Sequence, residues 1–212
     1  MKNVLCVIGD VIQSRKLQNR SALQKQLNQA LKQLNTKAQK RLLSPYTLTL
    51  GDEFQAVYRK ADHLFYDLWS IVAKLHSTKF RFSIATGLLT TSINPKSAIG
   101  MDGPAFHLAR SGIDQLRSNS GVFQLSSMTE LPFWMQPFLN ILSDLRQGWN
   151  VNRLKILCYA LGDSQIDVKV IAGETSLSVR AVYKNIREGS IKSIVTMLQL
   201  IESELNETIQ PR

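Results

Sequence analysis

Two acidic side chains are of the type and in the sequence context that could hold a divalent cation. Asp10 closes the apolar run "VLCVIGD", and Asp52 lies inside "LTLGDEFQAVY". The apolar stretches around them read as strands, so Asp10 marks a strand end and Gly51-Asp52 a hairpin turn. In a β-α-β-β arrangement those two points converge at one edge of a sheet. Two carboxylates in an otherwise basic region suit Mg2+ or Mn2+, which take oxygen ligands and share them with substrate phosphates. Gly and Asp are also ordinary turn residues, so a plain hairpin is the competing reading of the same pair. Arg15, Lys16 and Arg110 are candidate phosphate ligands by charge, and His107 is a further candidate at the start of a helix. Each of these also reads as ordinary surface polarity.

The charge balance supports an anionic ligand. The chain has 212 residues, 44% of them hydrophobic, with a net charge of +10. Residues 1–149 carry +9 of that charge, and no acid occurs between Asp10 and Asp52. Such a surface favours nucleotides, nucleic acid or an acidic membrane face, or simply keeps the chain soluble. No apolar run reaches the 18 or so residues that span a bilayer. The first residues read as a strand and not as a signal peptide. Cys6 and Cys158 lie in apolar runs and read as buried free thiols in a reducing compartment. The expected location is the cytoplasm.

The elements that must position these side chains follow from periodicity. Residues 3–9 read as a strand. Residues 20–42 read as an amphipathic helix, with Leu23, Leu27, Ala30, Leu31, Leu34, Ala38 and Leu42 on one side. Strands are expected at 45–50 and 53–58, a helix at 60–77, a strand at 79–91, a helix at 103–116 and a strand at 121–126. The order β-α-β-β-α-β-α-β is an α+β, ferredoxin-like βαββαβ pattern with an added α-β unit, its helices expected on one face of the sheet. Residues 1–127 form this expected domain. Residues 128–147, aromatic and interrupted by prolines, read as a connector. Residues 148–212 read as a small all-α unit.

The stretches "VIGDVIQSRKL", "TLTLGDEFQAVY", "SIATGLLTT" and "GMDGPAFHLARSG" resemble, in order and spacing, the catalytic domain of class III nucleotidyl cyclases. "LGDEF" also resembles the signature hairpin of diguanylate cyclases. The whole chain, with its C-terminal helices, resembles the bacterial SatD family. The cyclase resemblance implies metal ligation by Asp10 and Asp52, with Glu53 added by the second likeness. It also implies phosphate contact by backbone groups around Gly9 and Val11, and a homodimer. Leu48 stands where those cyclases carry the lysine that reads a purine. His107 and Ser111 stand where they carry an Asn and an Arg, and Arg110 is one residue from the latter. Leu50 replaces the first Gly of the diguanylate hairpin. The resemblance therefore implies metal-nucleotide binding without cyclisation. The alternative is an active nucleotidyl cyclase, or another metal-dependent phosphoryl-transfer enzyme, with altered specificity residues.

"VKVIAGETSLSVRAVYKNIREGS" resembles a helix-turn-helix. Ile171, Ala172, Val182 and Ile186 would pack inside, Leu177 would sit in the turn, and Ser178 would cap the second helix. That helix would present Arg180, Lys184, Asn185 and Arg187 to DNA, with Ser178 at its start. Thr175 and Ser176 depart from the usual pattern, which places an apolar residue and a Gly there. A helical packing or dimerisation unit is the alternative, and the net +1 of residues 150–212 is low for DNA binding.

Overall fold

The computed structural model describes residues 2–14, 19–49, 51–119, 121–162 and 167–209. These form a mixed α+β structure of five strands and eight α-helices. The strands are β1 (Lys2–Val11), β2 (Leu42–Leu48), β3 (Glu53–Tyr58), β4 (Phe80–Leu89) and β5 (Phe123–Ser127). The helices are α1 (Arg20–Ala38), α2 (Leu64–Lys74), α3 (Pro104–Asn119), α4 (Met135–Leu145), α5 (Val151–Gly162), α6 (Val168–Thr175), α7 (Val179–Glu188) and α8 (Ile191–Ile209). The strands lie in the order β2-β3-β1-β4-β5. β1 is central and antiparallel to β3 and β4, while β5 joins β4 in parallel.

β1 is buried on both faces, which explains its nearly unbroken apolar run. Leu5, Val7 and Val11 face one side, together with α1, α2 and the C-terminal helices. Val4, Cys6 and Ile8 face the other, where α3 packs through Ala105, Phe106, Ala109 and Ile113. Helices therefore cover both faces, and the expectation of one covered face is corrected. α3 comes close because Gly112 has no side chain; a Cβ there would stand 2.2 Å from the Ser83 hydroxyl.

Other boundaries shift for local reasons. α1 ends at Ala38, four residues earlier than its periodicity suggests, because Leu42 already pairs with Tyr58. β2 carries Pro45 and register irregularities, which an edge strand tolerates because one side needs no ladder hydrogen bonds. The expected connector contains α4. Its Pro137 sits in the first turn, where a missing N–H costs nothing.

The C-terminal helices are joined to the sheet by one continuous set of buried side chains. Leu157, Ile194, Leu198, Ile201 and Leu205 belong to the same core as Trp69, Phe82 and Phe123. A polar clamp adds direction to this contact. The Glu202 carboxylate accepts the backbone N–H of His63 at 3.1 Å and of Phe65 at 2.9 Å. His63, the residue before α2, has a left-handed backbone (φ 58) and makes no side-chain cap, so Glu202 supplies the missing acceptors from another helix. Asn206 accepts from the Ala61 N–H at 2.7 Å and donates to Asp62. Burial, opposed by those two N–H donors and reinforced by Asp62 and Asp67, raises the Glu202 carboxyl to about 7.

Cys6 is buried and Cys158 half-buried, both free thiols. No helix among the described residues is long and apolar enough to cross a membrane.

Candidate functional site

Strand register builds the first half of the site. Asp10 stands directly opposite Glu53 on β3 and Arg81 on β4. Side chains alternate along a strand, so all three share the α3 face with Val4, Cys6 and Ile8. α3 adds Arg110 and Arg117, seven residues apart and hence on one side of the helix. Arg81 Nε lies 3.3 Å and Arg117 Nη2 3.8 Å from Asp10 Oδ2. Arg117 Nη2 also lies 3.9 Å from Glu53 Oε2, which is paired with Arg110 Nη1. Glu53 Oε1 accepts from the Thr49 hydroxyl at 3.1 Å. Both Glu53 oxygens are thus engaged.

The β2–β3 turn supplies the second half. Gly51 takes φ 67, a conformation that costs glycine little, and this lets the chain reverse at Asp52. Gln24 of α1 donates to the Gly51 carbonyl at 2.7 Å, and the Val11 N–H donates to the Asp52 carbonyl at 3.2 Å. The Asp52 carboxylate accepts from the Ser14 hydroxyl and lies 3.5 Å from Arg20 Nη2. Asp10, Asp52, Glu53, Val11 and Ser14 line one open cleft of ≈ 900 Å³ with Arg20, Arg81 and Arg117. Three carboxylates thus face three guanidiniums.

Burial raises the Asp10 carboxyl above its ordinary range. Arg117 and Arg81 pull it back, while Asp52 and Glu53 push it further up. The acids of the hairpin therefore act on Asp10 electrostatically across the cleft.

The donors suit a small hard cation. All are oxygens, and Asp10 and Asp52 bring carboxylates to the same cleft. Among the described residues, no group of three or more His, Cys, Asp or Glu is arranged to hold a metal. Two carboxylates match the way Mg2+ is held, with water and substrate phosphates completing the shell. Glu53 is less available, since Arg110 and Thr49 occupy it. Arg81 Nε is buried and finds no aligned hydrogen-bond acceptor among the described residues, despite its ion pair with Asp10.

Other candidates fall elsewhere. Val11 lines the cleft, but Gly9 lies within the ladder opposite Phe54 and Phe82, with the Phe54 ring over its α-carbon. His107 is exposed and its Nε2 is 2.8 Å from Asp102 Oδ1, outside the cleft lining. Arg110 reaches the site through Glu53. Leu48 packs against the main core. Arg15 and Leu50 lie outside the described residues. Sequence reasoning missed Ser14, Arg20, Arg81 and Arg117 as site residues. The seven-residue spacing from Arg110 was available for Arg117, and pairing β4 with β1 would have placed Arg81.

At the far end of the chain, α6 and α7 are joined by residues 176–178. Asp167 caps α6 through the Lys169 and Val170 N–H groups, and Ser178 caps α7 through the Ala181 N–H. Ser176 takes φ 55, the conformation that favours glycine at this place. Thr175 is buried and donates to the Ile171 carbonyl at 2.6 Å, which removes the cost of a hydroxyl at an apolar position. Ile171, Val182 and Ile186 are buried. Arg180, Lys184 and Arg187 are exposed on α7. Asn185 is half-buried instead, accepting from Arg153 Nε at 3.3 Å and donating to the Ala181 carbonyl.

The sequence matches the SatD family over residues 4–205. The chain belongs to the SatD family. No protein of curated function matches it in sequence. Among solved structures, this SatD-family chain is similar to a bacterial light-regulated adenylyl cyclase. That similarity has 15% identity and a TM-score of 0.45, covering 58% of this chain and 75% of the other. It is also similar to the guanylate cyclase domain of RhGC from Catenaria anguillulae in complex with GTP. There the identity is 14% and the TM-score 0.38, covering 52% of this chain and 71% of that one.

Proposed function

We propose that this SatD-family chain is a regulatory protein that binds a metal-nucleotide, or another phosphate ligand, in the cleft at Asp10 and Asp52. In this reading residues 1–127 are a ferredoxin-like, cyclase-like domain, 128–147 a connector and 148–212 a helix-turn-helix unit that contacts DNA or a protein partner. A homodimer is the expected assembly. The observation that carries the reading is the convergence of Asp10 and Asp52 on one cleft with Arg20, Arg81 and Arg117.

Mg2+ or Mn2+, when bound, would neutralise the two carboxylates and tie them to phosphate oxygens. The guanidiniums that serve Asp10 and Asp52 in this structure would then turn to the phosphates, which they hold well through planar N–H forks. Ser14 orients Asp52, and the hydrogen bond from Gln24 holds the hairpin at the cleft mouth. Leu48, packed against the core, and His107, paired with Asp102, stand in this reading in place of the residues that would read a base and steady a transition state, so no cyclic product is expected.

Thermal shift with Mn2+ and a panel of nucleoside triphosphates tests the reading. A ligand at a hundredfold its Kd stabilises by about 2.7 kcal/mol. The wild type is expected to show such a rise, and Asp52→Asn to lose it while melting normally without ligand. Asn keeps the turn preference and an oxygen for the Ser14 hydroxyl, and the Arg20 guanidinium it leaves without a carboxylate is half-exposed and can be solvated. Absence of any nucleotide effect in the wild type would leave Asp52 as a turn residue. Metal-dependent cyclic product that vanishes in Asp52→Asn would establish the enzyme alternative instead.

A further inference from the structure

A second cavity, of ≈ 710 Å³, opens where α1 and α2 meet α5 and α6. It shares no lining residue with the carboxylate cleft; α1 offers its first residue, Arg20, to the cleft and Ala30, Gln33, Leu34 and Lys37 to this cavity. Leu34 and Ile71 form an apolar floor, and the rings of Tyr66 and Tyr159 form part of the wall. Lys37, Lys74 and Lys155 stand exposed around the rim and enter no ion pair among the described residues. Glu174 is the one carboxylate in the lining, and the Tyr159 hydroxyl is hydrogen-bonded to it. The Cys158 thiol, bonded to Ser70, is pushed up to about 12 by burial and adds no charge. The lining thus combines an apolar base with a rim of net charge +2.

We propose that this cavity is a binding site for a small amphipathic anion: an apolar chain or ring carrying a carboxylate or a phosphate head. Its volume falls within the range of pockets that enclose small molecules, which pair apolar walls with a few charged groups that fix orientation. The apolar body would lie on Leu34 and Ile71, displacing water from surface that is costly to hydrate. The head would sit among the three lysines, against which the lining sets only the Glu174 carboxylate; Lys74, which donates to Gln33, would turn to the head instead. The occupant would touch helices from both halves of the chain at once, α1 and α2 on one side and α5 and α6 on the other, so binding would brace their contact.

The test is a fluorescence titration of the full chain with 1-anilinonaphthalene-8-sulfonate, followed by competition with decanoate, decyl phosphate and decanol. One saturable site per chain is expected, with either anionic head displacing the probe at least tenfold more effectively than decanol. The stronger of the two anions identifies the head. Lys37→Gln with Lys74→Gln and Lys155→Gln should weaken the probe at least tenfold. The charge-matched control Lys25→Gln with Lys60→Gln and Lys96→Gln, also exposed lysines, should not. Ala73→Trp, which fills the cavity at a half-exposed helix position, should abolish the site while circular dichroism stays that of the wild type. Equal weakening by the control triple, decanol competing as well as decanoate, or full binding by Ala73→Trp would each overturn the proposal.

Discussion

Glu202→Gln should erase a pH dependence of stability that the wild-type chain carries in the weakly acidic range. Burial lifts the Glu202 carboxyl from its ordinary 4.5 to about 7, with Asp62 and Asp67 adding to the shift and the His63 and Phe65 N–H groups opposing it. Between those two values the folded chain keeps a proton that the unfolded chain has released. Stability from this group is therefore fully present below pH 4.5 and lost as pH rises through 7. A difference of that size corresponds to roughly 3 kcal/mol. Glutamine stays neutral throughout and has one acceptor oxygen instead of two. One of the two N–H groups at the start of α2 then goes unpaired, at a cost of about 1–3 kcal/mol. That cost does not vary with pH, so the slope and not the offset carries the information. Urea unfolding of both proteins from pH 4.5 to 8 gives the difference curve directly. Asp67, raised to about 6, titrates in both proteins and largely cancels. The wild-type advantage should fall by about 3 kcal/mol across the window. A flat difference curve would mean that Glu202 is solvated in solution and that the clamp between α8 and α2 does not form.

Asp67→Ala should cost about 3–5 kcal/mol in urea unfolding, because it removes the buried member of an ion pair and leaves the half-buried Arg41 guanidinium without its carboxylate. Arg41 Nη2 is 2.6 Å from Asp67 Oδ1, and the Tyr58 hydroxyl donates to Oδ2 at 2.9 Å; a loss under 1 kcal/mol would show that water replaces both contacts. Arg180→Ala with Lys184→Ala should weaken DNA binding and reduce the slope of log K against log salt by up to about 1.8, at roughly 0.9 per phosphate contact. Fluorescence anisotropy across a salt series measures this. If the wild type shows no DNA affinity at low salt, α7 is a surface for a protein partner.

What the sequence determined by itself was local. The alternation and helical spacing of apolar residues placed β1, α1, β3, α2, β4, α3 and β5 close to where they lie. The Ser178 cap and the inward set Ile171, Val182 and Ile186 follow the same spacing. These signals are readable because they repeat every two or every 3.6 residues along one segment. The pairing of strands is not encoded that way, and it was pairing that set Arg81 opposite Asp10 and Glu53. Arg117 reached the same cleft only because Gly112 let α3 lie close on β4. The second apolar face of β1 was present in Val4, Cys6 and Ile8, but a strand buried on both sides looks like any apolar run. The cyclase resemblance implied a backbone contact from Gly9 to phosphate, whereas Gly9 lies in the ladder with the Phe54 ring in the space beside its α-carbon. Glu202 is not singled out in the α8 segment from the other acids there, Glu204 and Glu207. Its neighbours at the start of α2 are about 140 residues away in the chain, and nothing in its own segment announces that two N–H groups there lack acceptors. Side chains that serve a distant backbone acquire their role from packing alone, because the hydrophobic contacts that bring the segments together specify no polar partner.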